Sequence, residues 1–202
     1  MISSYKELKF YIKADEIMND FCQPWYKTIA HVNIRKRWLK TYRIVEWLFY
    51  GKQNHKWMIL PYIYYSRKLD KLSYLCGYSI PLGCLGYGIF LAHHGTCVIN
   101  GRNRIGNYSC VFNNVCIADG NIKELGIGVF YGTGTVVAKA VTIGNGCKVS
   151  ANSFVNKSYP DNSLIGGAPS KLLRENITPW FHEEPYFSRY KEIESLRKNF
   201  GL

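Results

Sequence analysis

The chain has no apolar run near the ~18 residues needed to cross a bilayer. Its best stretch, Trp57 to Tyr65, is about half that length and contains Pro61, so a soluble chain is expected. The opening Met1-Ile2-Ser3-Ser4-Tyr5-Lys6 lacks the apolar core of a secretory leader. Seven cysteines, at 22, 76, 84, 97, 110, 116 and 147, make an odd set without one CxxC pair. That argues against a disulfide framework and for buried, reduced thiols in a cytoplasmic protein. Histidine is scarce, with five in all, and only His93 and His94 stand together. A metal site needs several converging His or Cys ligands, so none is expected. Acidic residues are also few, 14 against 26 Lys and Arg, for a formal charge of +12. Such a balance favours acidic partners but does not speak to fold. Residues 1–78 hold 14 Lys or Arg against 6 Asp or Glu, so eight of the twelve surplus charges lie there.

What the chain does have is a period of six. From Ser79 to about Pro160, markers fall at Leu85, Leu91, Ile99, Ile105, Val111 and Ile117. They resume at Leu125, Tyr131, Val137, Ile143, Val149 and Val155. The residue after a marker is usually small: Gly86, Ala92, Gly106, Ala118, Gly126, Gly132, Ala138, Gly144 and Ser150. Six matches neither the helical 3.6 nor the strand period of 2. It matches a solenoid in which each hexapeptide is a short strand plus a corner, three hexads making one triangular coil. The marker points inward, and the small residue permits a tight corner. The register slips twice by two residues, between Leu91 and Ile99 and between Ile117 and Leu125. Slips of this kind push loops out of a regular wall, where function tends to sit. The first contains His93-His94-Gly95.

Around the repeat the pattern is helical. Ser4-Tyr5-Lys6-Glu7 has capping-box spacing and predicts a helix to about Asp20, with Pro24 closing the region. Further helices are predicted over about Thr28 to Tyr50 and Lys56 to Cys76, joined by Gly51-Lys52-Gln53-Asn54. Both mix aromatic and basic residues, among them Arg35, Lys36, Arg37, Trp38, Lys40 and Arg43. The favoured reading is aromatics packed on the coil with the charges as a solvated face; a membrane or nucleic-acid surface is the other. Asp161 to Lys171 reads as a loop, and a last helix, over about Pro185 to Asn199, as a cap on the open end of the solenoid.

Certain segments together resemble the bacterial hexapeptide-repeat acyltransferases. These are Leu85 to His93, Val98-Ile99-Asn100, Ile105-Gly106-Asn107, Val149 to Ser153 and Gly167-Ala168-Pro169-Ser170-Lys171. The nearest branch looks like the serine acetyltransferase-like enzymes that O-acetylate capsular and other surface polysaccharides. The resemblance covers residues 78–174. It implies a mainly β protein, a left-handed parallel β-helix; residues 1–77, read above as an N-terminal helical region, and 175–202, read as a C-terminal helical extension, lie outside it. It further implies a homotrimer, acetyl-coenzyme A as donor and a histidine general base, which is His93 by position. Thr133 and Ala151 fall where backbone amides hold the pantetheine arm, and Lys171 where a cation meets the nucleotide phosphates.

The register gives a parallel argument. Hexads three apart lie one above another, so Leu91, Val111, Tyr131 and Val149 form a stack. The residues two places on, His93, Asn113, Thr133 and Ala151, then form one column. At strand spacing the column is about 14 Å long, which suits an extended pantetheine. Asn113 is a candidate for contact with thioester or substrate, or a stacked asparagine rung. His94 and Asp119 are candidate substrate contacts.

Two departures weaken a serine acceptor. Serine acetyltransferases carry an Asp before the catalytic His and a second Asp upstream; here those positions read Ala92 and Tyr78. A backbone carbonyl, Asp119, Glu46 and Asp70 are open as partners for His93. The loop 119–124 is short and lacks the histidine found there in serine acetyltransferases, which suits a more open cleft. The expected activity is direct transfer from acetyl-coenzyme A to a sugar hydroxyl of a bacterial surface polysaccharide or its precursor. No Ser or Cys sits beside a base as a covalent nucleophile. Serine or another small hydroxyl compound is the alternative acceptor, and a non-catalytic trimeric module binding anionic lipid or nucleic acid is the alternative class. For the enzyme no nucleic-acid partner is expected. Its basic N-terminal region offers a peripheral contact at the inner face of the membrane.

Overall fold

The computed structural model describes residues 2–21, 33–118 and 121–202. Its centre is a parallel β-helix with three faces. One face stacks β1 (Tyr78–Ser79), β3 (Cys97–Ile99), β5 (Val115–Ile117), β8 (Val136–Val137) and β11 (Phe154–Val155). A second stacks β2 (Phe90–Leu91), β4 (Cys110–Val111), β7 (Phe130–Tyr131), β10 (Lys148–Val149) and β12 (Leu164–Gly166), with β13 (Lys171–Arg174) at its end. The third holds β6 (Glu124–Leu125) and β9 (Thr142–Ile143), extended by bridges from Leu85 to Ile105 and Ile143 to Tyr159.

All twelve markers are buried and all join one continuous core. Each buried branched side chain contributes about 1.5–3 kcal/mol of transfer free energy, so the interior is a ladder of repeated small gains. The small corner residue is a steric requirement: a Cβ on Gly132 would lie 2.7 Å from the amide nitrogen of Ala151 in the next coil. Corners turn through left-handed residues at Asn114, Gly134 and Asn152, each three places after a marker. Asparagine tolerates that conformation better than most residues.

The repeat runs one turn past its last marker. Tyr159 bridges to Ile143 and Ile165 pairs with Val149, so the spacing shortens to four residues after Val155 and then returns to six. The segment read as a loop therefore contains a strand. Leu164–Gly166 pairs antiparallel with Lys171–Arg174, the chain reversing through a cis Ala168–Pro169 bond.

Among the described residues the remaining elements are the α-helices α1 (Tyr5–Met18), α2 (Ile34–Gly51), α3 (Ile59–Cys76) and α4 (Tyr186–Asn199), with single 3-10 turns at Lys56–Met58 and Trp180–His182. The capping box at α1 forms as its spacing predicts, with Ser4 and Glu7 serving each other's backbone. Asn33 caps α2, and Gly77, at φ +76°, ends α3. The predicted helical residues 28–32, Pro24, Cys22 and His31 lie outside the described residues.

Two expectations about these helices are corrected. The N-terminal charges are not uniformly a solvated face, because the first coil has an unpaired edge that must be satisfied. Arg43, fully buried, donates through Nη1 to the Leu85 carbonyl at 3.0 Å and through Nη2 to that of Gly86. Asp15 accepts the Ile89 amide at 3.1 Å, while Asn19 accepts from the Leu91 amide at 3.0 Å and donates to the Ile89 carbonyl at 2.7 Å. Arg35 donates to the carbonyls of Leu91 and Ala92. The polar face of the helices is thus a plug for the start of the solenoid.

The C-terminal helix, for its part, does not cap the open end. Residues 177–200 run back along the second face, where Trp180, Phe181 and Ile193 pack with Tyr108, Cys110 and Phe10. Arg189 donates to the Met18 carbonyl at 3.0 Å, tying α4 to α1. The cause is the row of aromatics that the second face turns outward, Phe90, Phe112 and Phe130, which would otherwise be bare.

Candidate active site

The register places the predicted column together. Leu91 pairs with Val111, Val111 with Tyr131, and Tyr131 with Val149. His93, Asn113, Thr133 and Ala151 accordingly occupy successive coils at one corner, and Gly167 adds a fifth row because Ile165 pairs with Val149. Contacts confirm the stacking: the Thr133 hydroxyl donates to Asn113 Oδ1 at 3.1 Å, and the Asn152 amide to the Thr133 carbonyl at 2.7 Å. Inter-coil bonds are made by the amides on either side of Thr133 (Gly132 and Gly134) and of Ala151 (Ser150 and Asn152).

His93 heads this column and is exposed, as is His94. The His93 ring lies against Phe112, with centroids 5.8 Å apart and planes tilted by 59°. Its backbone is held firmly. Buried Tyr78 donates its hydroxyl to the His93 carbonyl at 2.7 Å, and Arg35 grips the two carbonyls just before it. Burial holds the Tyr78 hydroxyl well above the usual phenol range, so it remains a donor at any working pH. Among the described residues the imidazole itself has no hydrogen-bond or ion-pair partner. Of the carboxylates open as partners, Glu46 is engaged by Arg43 at 3.3 Å. Asp70 lines a cleft with Ser66, Ser73, Tyr78 and Ser79. Asp119 lies outside the described residues.

Lys171 stands at the other end of the column. It is exposed on β13 and paired with Gly166, one residue before the fifth row. Beside the column a cleft of about 340 Å³ runs along the second face between Phe90, Phe112, Phe130, Ser150, Trp180 and Tyr186. The pair of Lys148 and Glu183, 2.5 Å apart, also lines it.

Sequence reasoning missed Arg35, the Tyr78 contact and Phe112. Phe112 had a signal, since it is the one aromatic at a corner where the repeat otherwise places Gly, Ala, Ser or Asn. Arg35 had none, because its partners are backbone carbonyls far along the chain. The five buried thiols among the described residues are unsuited to carrying an acyl group. Burial pushes Cys76 and Cys84 up to about 11 and Cys97 to about 12, and raises Cys110 and Cys147 as well.

No protein-family model matches the chain. It is 28% identical over 158 residues to a serine acetyltransferase of Bacillus pumilus, covering 67% of this chain and 72% of that protein. Over 51 residues it is 39% identical to a putative lipopolysaccharide biosynthesis O-acetyl transferase of Escherichia coli, covering 25% of this chain and 26% of that protein. Among solved structures, Neisseria gonorrhoeae serine acetyltransferase superposes with a TM-score of 0.67 at 19% identity, over 87% of this chain and 69% of that one. A Brucella abortus serine acetyltransferase in complex with coenzyme A gives 0.62 at 19% identity, over 86% and 70%. The structural likeness establishes the β-helix with flanking helices; the sequence likeness is to hexapeptide-repeat acetyltransferases of the serine acetyltransferase type.

Proposed function

We propose that the chain is an acetyl-coenzyme A-dependent O-acetyltransferase with His93 as general base. The observation that carries this reading is the column: an exposed, backbone-anchored histidine at one end, a cation at the other, and three rows of corner backbone between. The Thr133 and Ala151 amides, skipped by the inter-coil bonds, are free to take the amide oxygens of a pantetheine arm. His93 Nε2 or Nδ1 accepts the proton of the acceptor hydroxyl as its oxygen attacks the thioester carbonyl carbon. The tetrahedral intermediate then expels the coenzyme A thiolate, which takes the proton back from the imidazolium. The ester bond forms as the thioester breaks, with no acyl-enzyme. In this reading Asn113, one coil from His93, donates an amide N–H to the developing oxyanion. Lys171 meets the nucleotide phosphates.

For the acceptor, the relatives favour serine or a similar small hydroxyl compound over the glycan expected from sequence. A glycan acceptor stays as a second reading on one specific observation. The two positions where the resemblance calls for carboxylates are Ala92, with no charge to grip an ammonium, and Tyr78, whose hydroxyl is committed to the His93 carbonyl. His94, exposed beside His93, would line either acceptor's approach. The test is a panel of serine, monosaccharides and surface-glycan fragments with acetyl-coenzyme A, following release of free thiol. Turnover with serine alone selects the first acceptor and turnover with sugars alone the second. No turnover with any hydroxyl compound, together with undetectable coenzyme A binding, removes the enzyme reading.

A further inference from the structure

Among the described residues, exposed apolar side chains concentrate on one element. Trp57, Ile59, Leu60, Ile63, Tyr64, Tyr74 and Leu75 all lie on α3 or the turn before it, with Leu60 77% and Tyr74 89% exposed. The helix packs on the core through Leu69, Leu72 and Cys76, so the opposite side carries this stripe. Leu60, Ile63 or Tyr64, Arg67, Lys71 and Leu75 recur at helical spacing along it. A shallow groove of about 760 Å³ is lined by Arg37, Leu60, Tyr64, Arg67, Lys71 and Leu75 among others. Lys68 lines the same groove, and Asp70 is the one carboxylate of the helix.

A face that is apolar along its ridge and cationic between and around the apolar groups does not match water. It does not match a second copy of itself either, because docking would set Arg37, Arg67, Lys68 and Lys71 against the same four cations with only Asp70 to offset them. Nucleic acid would satisfy the cations and leave Leu60, Ile63 and Leu75 unburied. An anionic bilayer surface satisfies both, the aliphatic and tyrosine side chains entering the acyl boundary and the cations meeting headgroup phosphates. No helix among the described residues is long and apolar enough to cross a membrane, which leaves surface contact as the geometry.

We propose that the outer face of α3, from Trp57 to Leu75, is a peripheral docking surface for an anionic lipid bilayer. The inference goes beyond acetyl transfer and does not rest on it. The test is flotation of the full chain with vesicles of phosphatidylcholine alone and of phosphatidylcholine with phosphatidylglycerol. Binding is expected to the anionic vesicles, to weaken as salt rises, and to be far weaker to the neutral ones. The double variant Arg67→Glu, Lys71→Glu replaces two surface cations with anions and should bind weaker by at least the ~30-fold that loss of two cations alone gives. Leu60→Ser with Tyr64→Ser should also release the protein while leaving its melting unchanged, since all four side chains are exposed. Equal binding to both vesicle types overturns the proposal. So does unaltered binding by both double variants, or an oligomer that Leu60→Ser with Tyr64→Ser splits while the parent ignores anionic vesicles.

Discussion

Replacing Arg43 with methionine tests how the helices are joined to the solenoid. Its Nε lies 2.8 Å from Asp15 Oδ2 and its Nη1 3.3 Å from Glu46 Oε2, with the side chains at most 3% exposed. Burial alone would lower the Arg43 pKa, but the two carboxylates more than reverse this and keep it charged. Burial likewise pushes Asp15 up, against the pull of Arg43 and of the Ile89 and Gly88 backbone. Methionine fills much of the volume but strands two buried carboxylates, which costs about 3–5 kcal/mol. For a chain of this size that lowers Tm by about 6–20 °C. The pH dependence fixes the cause. Without the guanidinium, burial leaves Asp15 titrating in the fold above its unfolded value of about 4. A raised folded-state pKa gives stability that is present at low pH and lost as pH rises through it. The Arg43→Met deficit should therefore be largest near pH 7 and shrink near pH 5, measured by circular dichroism melts of both proteins. A deficit below about 2 °C, or one equal at the two pH values, refutes the reasoning.

Tyr78→Phe removes one hydrogen bond to the His93 carbonyl and should cost about 0.5–1.5 kcal/mol in stability. Because Tyr78 positions His93 without touching substrate, kcat should fall severalfold with KM for acetyl-coenzyme A unchanged in steady-state assays; a KM effect alone would contradict that role. The thiol environments predict selective labelling. In native protein at pH 8, Cys116, half-buried and the least buried of the six described thiols, should react with iodoacetamide before the other five. Cys76, Cys84, Cys97, Cys110 and Cys147 should resist until the protein is denatured. Peptide mapping that finds Cys97 modified early would show the coil to be open.

The solenoid was legible because its signal is repetitive: twelve markers in register specify three faces, and the same count puts His93, Asn113, Thr133 and Ala151 at one corner. The α1 boundary was legible from a local motif, Ser4 with Glu7. What was not legible depends on single long-range contacts. Arg35 and Arg43 look like ordinary surface cations in a basic segment, and only the unpaired edge at 85–92 turns them into caps. The path of the C-terminal segment was hidden for a related reason. Phe90 and Phe130 precede inward markers, where period-two alternation turns them outward, and what covers an outward aromatic row is decided elsewhere in the chain. The strand Leu164–Gly166 was missed because Val155 to Tyr159 breaks the count of six.

The most direct measurement is single-turnover acetyl transfer by the parent chain and by His93→Gln with the best acceptor of the panel, alongside coenzyme A binding by calorimetry. Loss of a general base predicts a rate lower by about 10²–10⁴-fold with coenzyme A affinity and melting unchanged. Parent-like turnover in His93→Gln would contradict the account of the column as an acetyl-transfer site.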